Sequence, residues 1–372
     1  MEKLIFKKLY VEIFKSFLII LFTLSALIWL LQAVNYLDIV SEDGHGLGVY
    51  FQYTSLNLPK IISKTYLLSY FLALCYVLSK YEETNQLLVF WTFGINKIVF
   101  LNKLLKISFL FFIFSFILYF LISPYAQNKA RFLIKNSNLD FFTSLIKSKS
   151  FIDTVEGLTF FVDNKINGQI QKIILKDMTN QNKVQIIMAK KGEIIEDTDL
   201  KSLVLFNGKI INSDTNKKLS IIDFKQTAID LKKYQTKTTT TEKIQELSSL
   251  KILKCALILA NVILTKNDQI VCNKQIKIEY FKELYKRIFL PLVVFIITPI
   301  TAFIILRSSQ ELSYKLYKYL FFSIGIFLIV ISEISLNIIS ESLVINLMIL
   351  CCYPLLFIII NLLFRKYNKI NI

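Results

Sequence analysis

Lys60 and Lys64 stand four residues apart in the stretch LPKIISK, at the mouth of a long apolar run. On a helix that spacing puts both on one face, about 6 Å apart along the axis. Two ammonium groups so placed have two readings. They reach ordinary lipid headgroups, as lysines near span ends do, or they face inward as point charges for the phosphates of a bound lipid. Arg287, at the start of a later apolar run, is the third cation of this candidate site, and its guanidinium suits bidentate phosphate binding. Glu283, one turn earlier, is placed to pair with it. A second constellation is apolar. Leu87, Phe90 and Trp91 follow the polar cluster Lys80 to Gln86 and fall at i, i+3 and i+4, on one helical face. Such a face is either an interfacial helix anchored by Trp91 or a surface that a soluble partner grips.

The residues of enzyme chemistry are missing. His45 is the one histidine, in the glycine-rich stretch GHGLG, so no Ser/His/Asp constellation can be assembled. No phosphate-cradling G-x-x-x-x-G-K-[ST] motif occurs. The five cysteines, Cys75, Cys255, Cys272, Cys351 and Cys352, show no C-x-x-C spacing and no histidine partners, which argues against zinc. Cys255 and Cys272 are a candidate pair if their segment lies outside the cytoplasm. The expectation is a non-catalytic protein with no cofactor and no metal.

The elements that must position these groups are membrane helices. The chain of 372 residues is 54% hydrophobic with mean hydropathy +0.53, above the roughly 45–50% of soluble domains. Its net charge of +17 sits in lysines that flank apolar runs, which fits membrane surfaces rather than nucleic acid. Six runs approach the roughly 20 residues a span requires. They lie near 16–36, 56–79, 104–123 (stopped by Pro124), 288–306, 316–337 and 342–364, with Pro291, Pro299 and Pro354 inside the last three-span block. The first is uncharged for 22 residues and reads as a retained span rather than a cleaved signal. Lys and Arg alternate from loop to loop: Lys3, Lys7, Lys8 and Lys15 before span one, none in 38–48, then Lys80 and Lys97. Arg307, Lys315 and Lys318 follow span four, and Arg365, Lys366 and Lys369 follow span six. That pattern puts both termini in the cytoplasm and the long middle segment outside.

The middle segment changes period. Residues 129–148 read as a helical connector. From Leu158 to about Leu231 apolar residues alternate in the pieces LTFFVD, QIQKIILKD, KVQIIMAKKGEI, KSLVLFNGKIIN and LSIIDFKQTAI. Asn167-Gly168 and Asn207-Gly208 carry the turn chemistry of hairpins. The spacing predicts a β-sandwich or jelly roll. A helix start is expected at Thr239 to Glu242, by capping-box spacing.

The stretch from Leu58 to Ile98, LPKIISKTYLLSYFLALCYVLSKYEETNQLLVFWTFGINKI, resembles the second span and coupling helix of the lipopolysaccharide-export permeases, the LptF/LptG family. The likeness continues in LTFFVDNKINGQIQKIILKD, IIMAKKGEII, LVLFNGKI and KELYKRIFLPL, and covers nearly the whole chain. LIWLLQAVNYLDIV and YTSLNLPK look more like LptF than LptG. The resemblance implies an α-helical membrane protein with six transmembrane helices (3+3) and an inserted periplasmic β-jelly-roll domain. Its parts would be spans one to three in residues 1–123 with a coupling helix about 82–96, the β-domain with its connectors in 124–282, and spans four to six with a basic tail in 283–372. It implies an ABC-transporter permease of the bacterial inner membrane that moves lipopolysaccharide toward the outer membrane. Its implied partners are a second, LptG-like permease, a cytoplasmic LptB-like ATPase dimer that hydrolyses the ATP, LptC- and LptA-like periplasmic bridge proteins, lipopolysaccharide and membrane lipids. Glu82, Glu83, Gln86, Leu87, Phe90, Trp91 and Gly94 become the expected ATPase contacts, and Lys60, Lys64 and Arg287 the lipid-phosphate contacts. Two positions depart from the family pattern, which usually has an acidic residue where Gln86 stands and commonly Arg where Trp91 stands; Glu82 or Glu83, one turn away, is the expected substitute. Two other classes compete: a membrane scaffold or signalling protein whose outer β-domain only binds a partner, and a lipoprotein-release permease, which usually carries its outer domain after span one rather than span three.

Overall fold

A computed structural model describes residues 2–37, 46–145, 150–155, 157–166, 169–178, 183–196, 201–214, 219–230, 243–259, 277–340 and 343–370. His45, Asn167-Gly168, the helix start at 239–242 and Cys272 lie outside them. In chain order the helices are α1 (Glu2–Asn35), α2 (Leu47–Leu56), α3 (Leu58–Glu83), α4 (Gln86–Thr92), α5 (Lys97–Ile117) and α6 (Ser123–Leu145), with a π-helical turn at Leu118–Ile122 between the last two. Strands β1 (Ser150–Val155), β2 (Leu158–Ile166), β3 (Gln169–Asp177), β4 (Lys183–Glu196), β5 (Lys201–Asp214) and β6 (Leu219–Asp230) follow. The chain then forms α7 (Ser249–Leu259), α8 (Lys277–Ile288), α9 (Val293–Ala302), α10 (Tyr314–Ile338) and α11 (Leu343–Ile370).

Among the described residues six helical stretches are long and apolar enough to cross a membrane: Glu2–Asn35, Leu47–Glu83, Lys97–Ile134, Lys277–Leu306, Tyr314–Ile338 and Met348–Asn368. They match the six expected runs, with one change at the third. Pro124 does not stop that helix. Proline cannot donate to the carbonyl four residues back, which here is Phe120. The π-helical turn Leu118–Ile122 sits just before the proline, and the Ser249 hydroxyl donates to the Phe120 carbonyl instead. The helix therefore continues through Pro124 into α6.

The chain divides into two compact units. One holds Met1–Leu31, Asn57–Asn128 and Lys243–Ile372, and the other Gln32–Leu56 and Lys129–Glu242. In the helical unit, spans two and four are the centre. Their apolar windows are 72% and 78% buried, against 6% for span six. Several polar side chains inside this unit bond across it, which offsets the cost of burying them away from water. Tyr66 donates to the Phe111 carbonyl at 2.8 Å and Tyr119 to the Ser63 carbonyl at 2.6 Å, joining α3 to the third span. The hydroxyls of Tyr70, Ser108 and Thr298 meet in a buried triangle with sides of 2.7–2.9 Å, joining spans two, three and four. An added Cβ at Gly325 would lie 2.1 Å from the Phe71 ring, so glycine lets α10 approach α3.

The second unit contains the inserted β-domain. Its six strands form one antiparallel sheet in the order β1-β2-β3-β4-β5-β6. The inserted β-domain of the expectation is present, and among the described residues its strands pair consecutively, as a meander. The sheet bends. Pairing lapses along a single row, Asp163, Lys172, Lys190, Asn207 and Lys225, while the register on both sides of it is unbroken. Lys172 and Asn207 have φ of 52° and 54°, the left-handed region that Asn tolerates better than most residues. Across this row the buried face changes parity. Ile173 and Leu175 are buried on one side and Ile170 on the other; Ala189 is buried on one side and Gly192 on the other. Strands that bend in this way make corners between sheet faces. Buried residues from β2, β3, β4 and β5 consequently form one apolar cluster. Asn207-Gly208 therefore lies inside β5, where its conformational preference makes a bend instead of the expected hairpin turn.

Gly192 shows how tight the corner is. A Cβ there would sit 2.3 Å from Ile173 Cδ1 and 3.0 Å from Leu205 Cδ2. We expect Gly192→Val to destabilise the sheet by about 1–3 kcal/mol, the usual range for overpacking. Hydrogen exchange on the full chain should show faster exchange in β3–β5, and adding Ile173→Ala should restore part of the protection.

Candidate functional site

Two groups of residues stand at opposite ends of α3, both within the helical unit. The first surrounds α4. Helix α3 ends at Glu83, and Asn85 turns the chain with φ 58°. Helix α4 closes with a Schellman arrangement: the Gly94 N–H donates to the Trp91 carbonyl at 2.9 Å and the Ile95 N–H to the Phe90 carbonyl at 3.1 Å. Gly94 has φ 73°, which explains glycine at this position. Its place is to end the helix.

Leu87 and Phe90 are each 1% exposed. Phe90 meets the rings of Phe6 and Phe100, both at 5.2 Å. Leu87 and Phe90 both belong to the chain's own core, where the sequence led us to expect them on a partner. Trp91 is half-buried, 5.7 Å from the Phe100 ring, with the Lys97 ammonium 5.9 Å from its own ring centre. The opposite side of the helix is outward: Leu88, Val89, Thr92 and Phe93 are exposed, and Gln86 is half-buried. The two glutamates are engaged internally. The Glu82 carboxylate accepts from the Ser309 N–H at 3.1 Å, and its carbonyl accepts from the Ser309 hydroxyl at 3.4 Å. Glu83 pairs with Lys318 at 2.8 Å. Lys97 donates to the Leu306 carbonyl at 3.1 Å. Helix α4 is thus held between α1, α5 and the loop after span four. A cleft of about 650 Å³ opens among α1, α3 and α10, apolar along Ile20, Leu72 and Phe322 and polar at Lys80, Glu83 and Lys318.

The second group stands at the start of α3. Lys60 is half-buried and Lys64 exposed. Lys60 lies within electrostatic reach of Lys64, Lys286, Lys243 and Glu246. Lys286 pairs with Glu283 at 3.9 Å. Among the described residues Lys60, Lys64 and Lys243 form no ion pair. The sequence reading missed Lys243 and Lys286, which come from distant parts of the chain. Arg287 makes the expected pair with Glu283 and bonds three further groups. It is 1% exposed, and its guanidinium donates to Glu283 Oε1, the Leu247 carbonyl, Ser249 Oγ and the Gln245 carbonyl, all at 2.8–2.9 Å. Cys255 is disulfide-bonded, whereas Cys75, Cys351 and Cys352 are free. Three or more His, Cys, Asp or Glu residues nowhere converge on a metal-sized site among the described residues.

The two faces of α4 are separable by mutation. Phe90→Ala should lower the stability of the purified chain by about 3–5 kcal/mol, the range for emptying a buried aromatic site. Phe93→Ala should leave its thermal unfolding unchanged. Thermal scans in detergent check both.

The order of three spans, a β-domain and three spans, with a short braced helix after span two, has counterparts among known proteins. The chain is 22% identical over 309 residues to an uncharacterized protein of Rickettsia prowazekii (strain Madrid E), covering 82% of each. The family described as lipopolysaccharide export system permease LptF/LptG matches residues 8–367. With that match extending over almost its entire length, the chain belongs to the LptF/LptG permease family and is a multi-pass membrane protein.

Proposed function

We propose that this chain is one permease of a pair that takes lipopolysaccharide from the inner membrane and passes it through the β-domain toward the outer membrane. The observation that carries the reading is the bent sheet: in a chain of this family, one apolar cluster runs continuously across β2 to β5. That apolar interior, closed in this structure, suits acyl chains once the two limbs of the sheet part. The cations Lys60, Lys64, Lys243 and Lys286 suit the phosphates of the same lipid, as point charges. Spans one and five, with 22% and 17% of their windows buried, leave wide apolar faces for lipid and for a second, LptG-like permease, this chain taking the LptF place.

ATP hydrolysis belongs to a separate cytoplasmic ATPase dimer. It docks on the outward side of α4, through Gln86, Leu88, Val89 and Phe93 with the edge of Trp91. Exposed aromatic and aliphatic side chains on a braced helix are the kind of anchor that dominates interfaces, the strongest costing at least ~2 kcal/mol when truncated. Glu82 and Glu83 hold this helix in place from within. The β-domain hands the lipid to LptC- and LptA-like bridge proteins. Both termini are cytoplasmic and the β-domain is periplasmic. The Lys/Arg alternation supports this orientation, as does the disulfide at Cys255, since disulfides persist in oxidising compartments.

Two experiments test the reading. Leu88→Asp with Phe93→Asp should abolish ATPase co-purification while both permeases remain in the membrane; normal recovery of the ATPase would sink the docking assignment. For orientation, Lys209→Cys should react with an impermeant maleimide once the outer membrane is opened. Reaction only after the inner membrane is breached would reverse the topology.

A further inference from the structure

Arg287 is among the most deeply buried charged groups in the described structure, and it binds no part of the outside world. A guanidinium has five N–H donors. Four of them are used: Nε on Glu283, Nη1 on both the Leu247 carbonyl and Ser249 Oγ, and Nη2 on the Gln245 carbonyl. Bidentate phosphate binding needs two parallel donors on one edge of the fork. Arg287 could supply them only by breaking bonds it already makes, at a site that is 1% exposed.

Its acceptors explain its place. Gln245, Leu247 and Ser249 lie in the short segment that leads from the β-domain back into the helices. Three of the four bonds fasten that segment to α8. Ser249 extends the chain of contacts, because its hydroxyl also donates to the Phe120 carbonyl, the one that Pro124 cannot serve. One guanidinium therefore joins the returning segment to span four directly and to span three through Ser249. The segment begins at Lys243, whose N–H donates to the Glu246 carboxylate at 3.4 Å. Lys243 and Glu246 are the two charged residues, one cation and one anion, that this segment brings within electrostatic reach of Lys60.

We propose that Arg287 is a positioning residue for the lipid-phosphate site: it latches residues 245–249 to spans three and four and so fixes where Lys243 stands relative to Lys60, without touching the lipid. This rests on the reading of Lys60, Lys64, Lys243 and Lys286 as an anion site.

The test uses the complete permease–ATPase complex in proteoliposomes containing diphosphoryl lipid A, with the dephosphorylated form as control. Two variants loosen the latch without removing charge. Arg287→Lys keeps a cation that cannot span three acceptors, and Ser249→Ala removes one acceptor and the donor to Phe120. Both should raise hydrogen exchange in residues 243–249 at least tenfold. Both should cut the ATPase stimulation by diphosphoryl lipid A several-fold, and Ser249→Ala should leave basal hydrolysis unchanged. A photo-crosslinker at position 243 should capture diphosphoryl lipid A in the parent and lose it in both variants. Lys60→Ala/Lys64→Ala should also lose stimulation, but with exchange in 243–249 unchanged. Unaltered exchange in the latch variants would overturn the latch. Faster exchange with full stimulation and full crosslinking would overturn its link to the lipid site. Stimulation and crosslinking intact in Lys60→Ala/Lys64→Ala, but lost in the latch variants, would overturn the anion-site reading while the latch itself stood. Lipid captured by a crosslinker at position 287 would make Arg287 a direct ligand and overturn the proposal.

Discussion

A polar group sealed in an apolar interior must find its partner inside the protein, and in this chain that constraint fixes which helices form the centre. The Tyr70 hydroxyl finds Ser108 and Thr298 where spans two, three and four meet, the three oxygens 2.7–2.9 Å apart, and Ser108 and Thr298 donate in turn to Leu104 and Val294 on their own helices. Tyr66 and Tyr119 add two further bonds to carbonyls across the same helices. Hydrophobic burial cannot select among the spans, since lipid tails are as apolar as leucine; close packing and such hydrogen bonds can. The consequence is a centre of spans two and four, with span three hydrogen-bonded to both.

Both ends of that core repeat the device with a buried charge. At one end the Glu82 carboxylate holds the loop after span four, beside the helix that carries the proposed ATPase face. At the other the Arg287 guanidinium holds the segment returning from the β-domain. A buried ion is expensive unless its hydrogen bonds are made, so each of these charges stabilises one arrangement of the backbone around it and penalises the alternatives. The groups left to meet a ligand or partner are the ones outside these networks: Lys60, Lys64 and Lys243 at one end, Leu88, Val89 and Phe93 at the other.

The β-unit meets the same problem with a different solution. Among the described strands no second sheet covers the apolar face of the meander. The bend along Asp163, Lys172, Lys190, Asn207 and Lys225 lets the two limbs share their apolar side chains. Left-handed residues at Lys172 and Asn207 make the bend, and the absence of a side chain at Gly192 makes room inside it.

How much of this was legible depended on whether the signal was local. The six spans were, because a run of about 20 apolar residues has one use. Strand β3 was legible to its last residue, Gln169–Asp177, from alternation alone, and so was the family, from motifs along the whole chain. The site was not. Leu87, Phe90 and Trp91 share a face, but Leu88, Val89 and Phe93 share another, and a helix apolar on both sides does not say which side its own protein will take. The core took Leu87 and Phe90 because Phe6 and Phe100 were there to receive them. Likewise Lys60 and Lys64 were visible as a pair four residues apart, whereas Lys243 and Lys286 joined them from almost two hundred residues or more away in the chain. Arg287 offered the same guanidinium to a phosphate or to a backbone, and three acceptors at residues 245–249 decided it. Sequence determines a pattern that one segment can express by itself; which groups are consumed by the fold, and which remain for function, is decided only when distant segments meet.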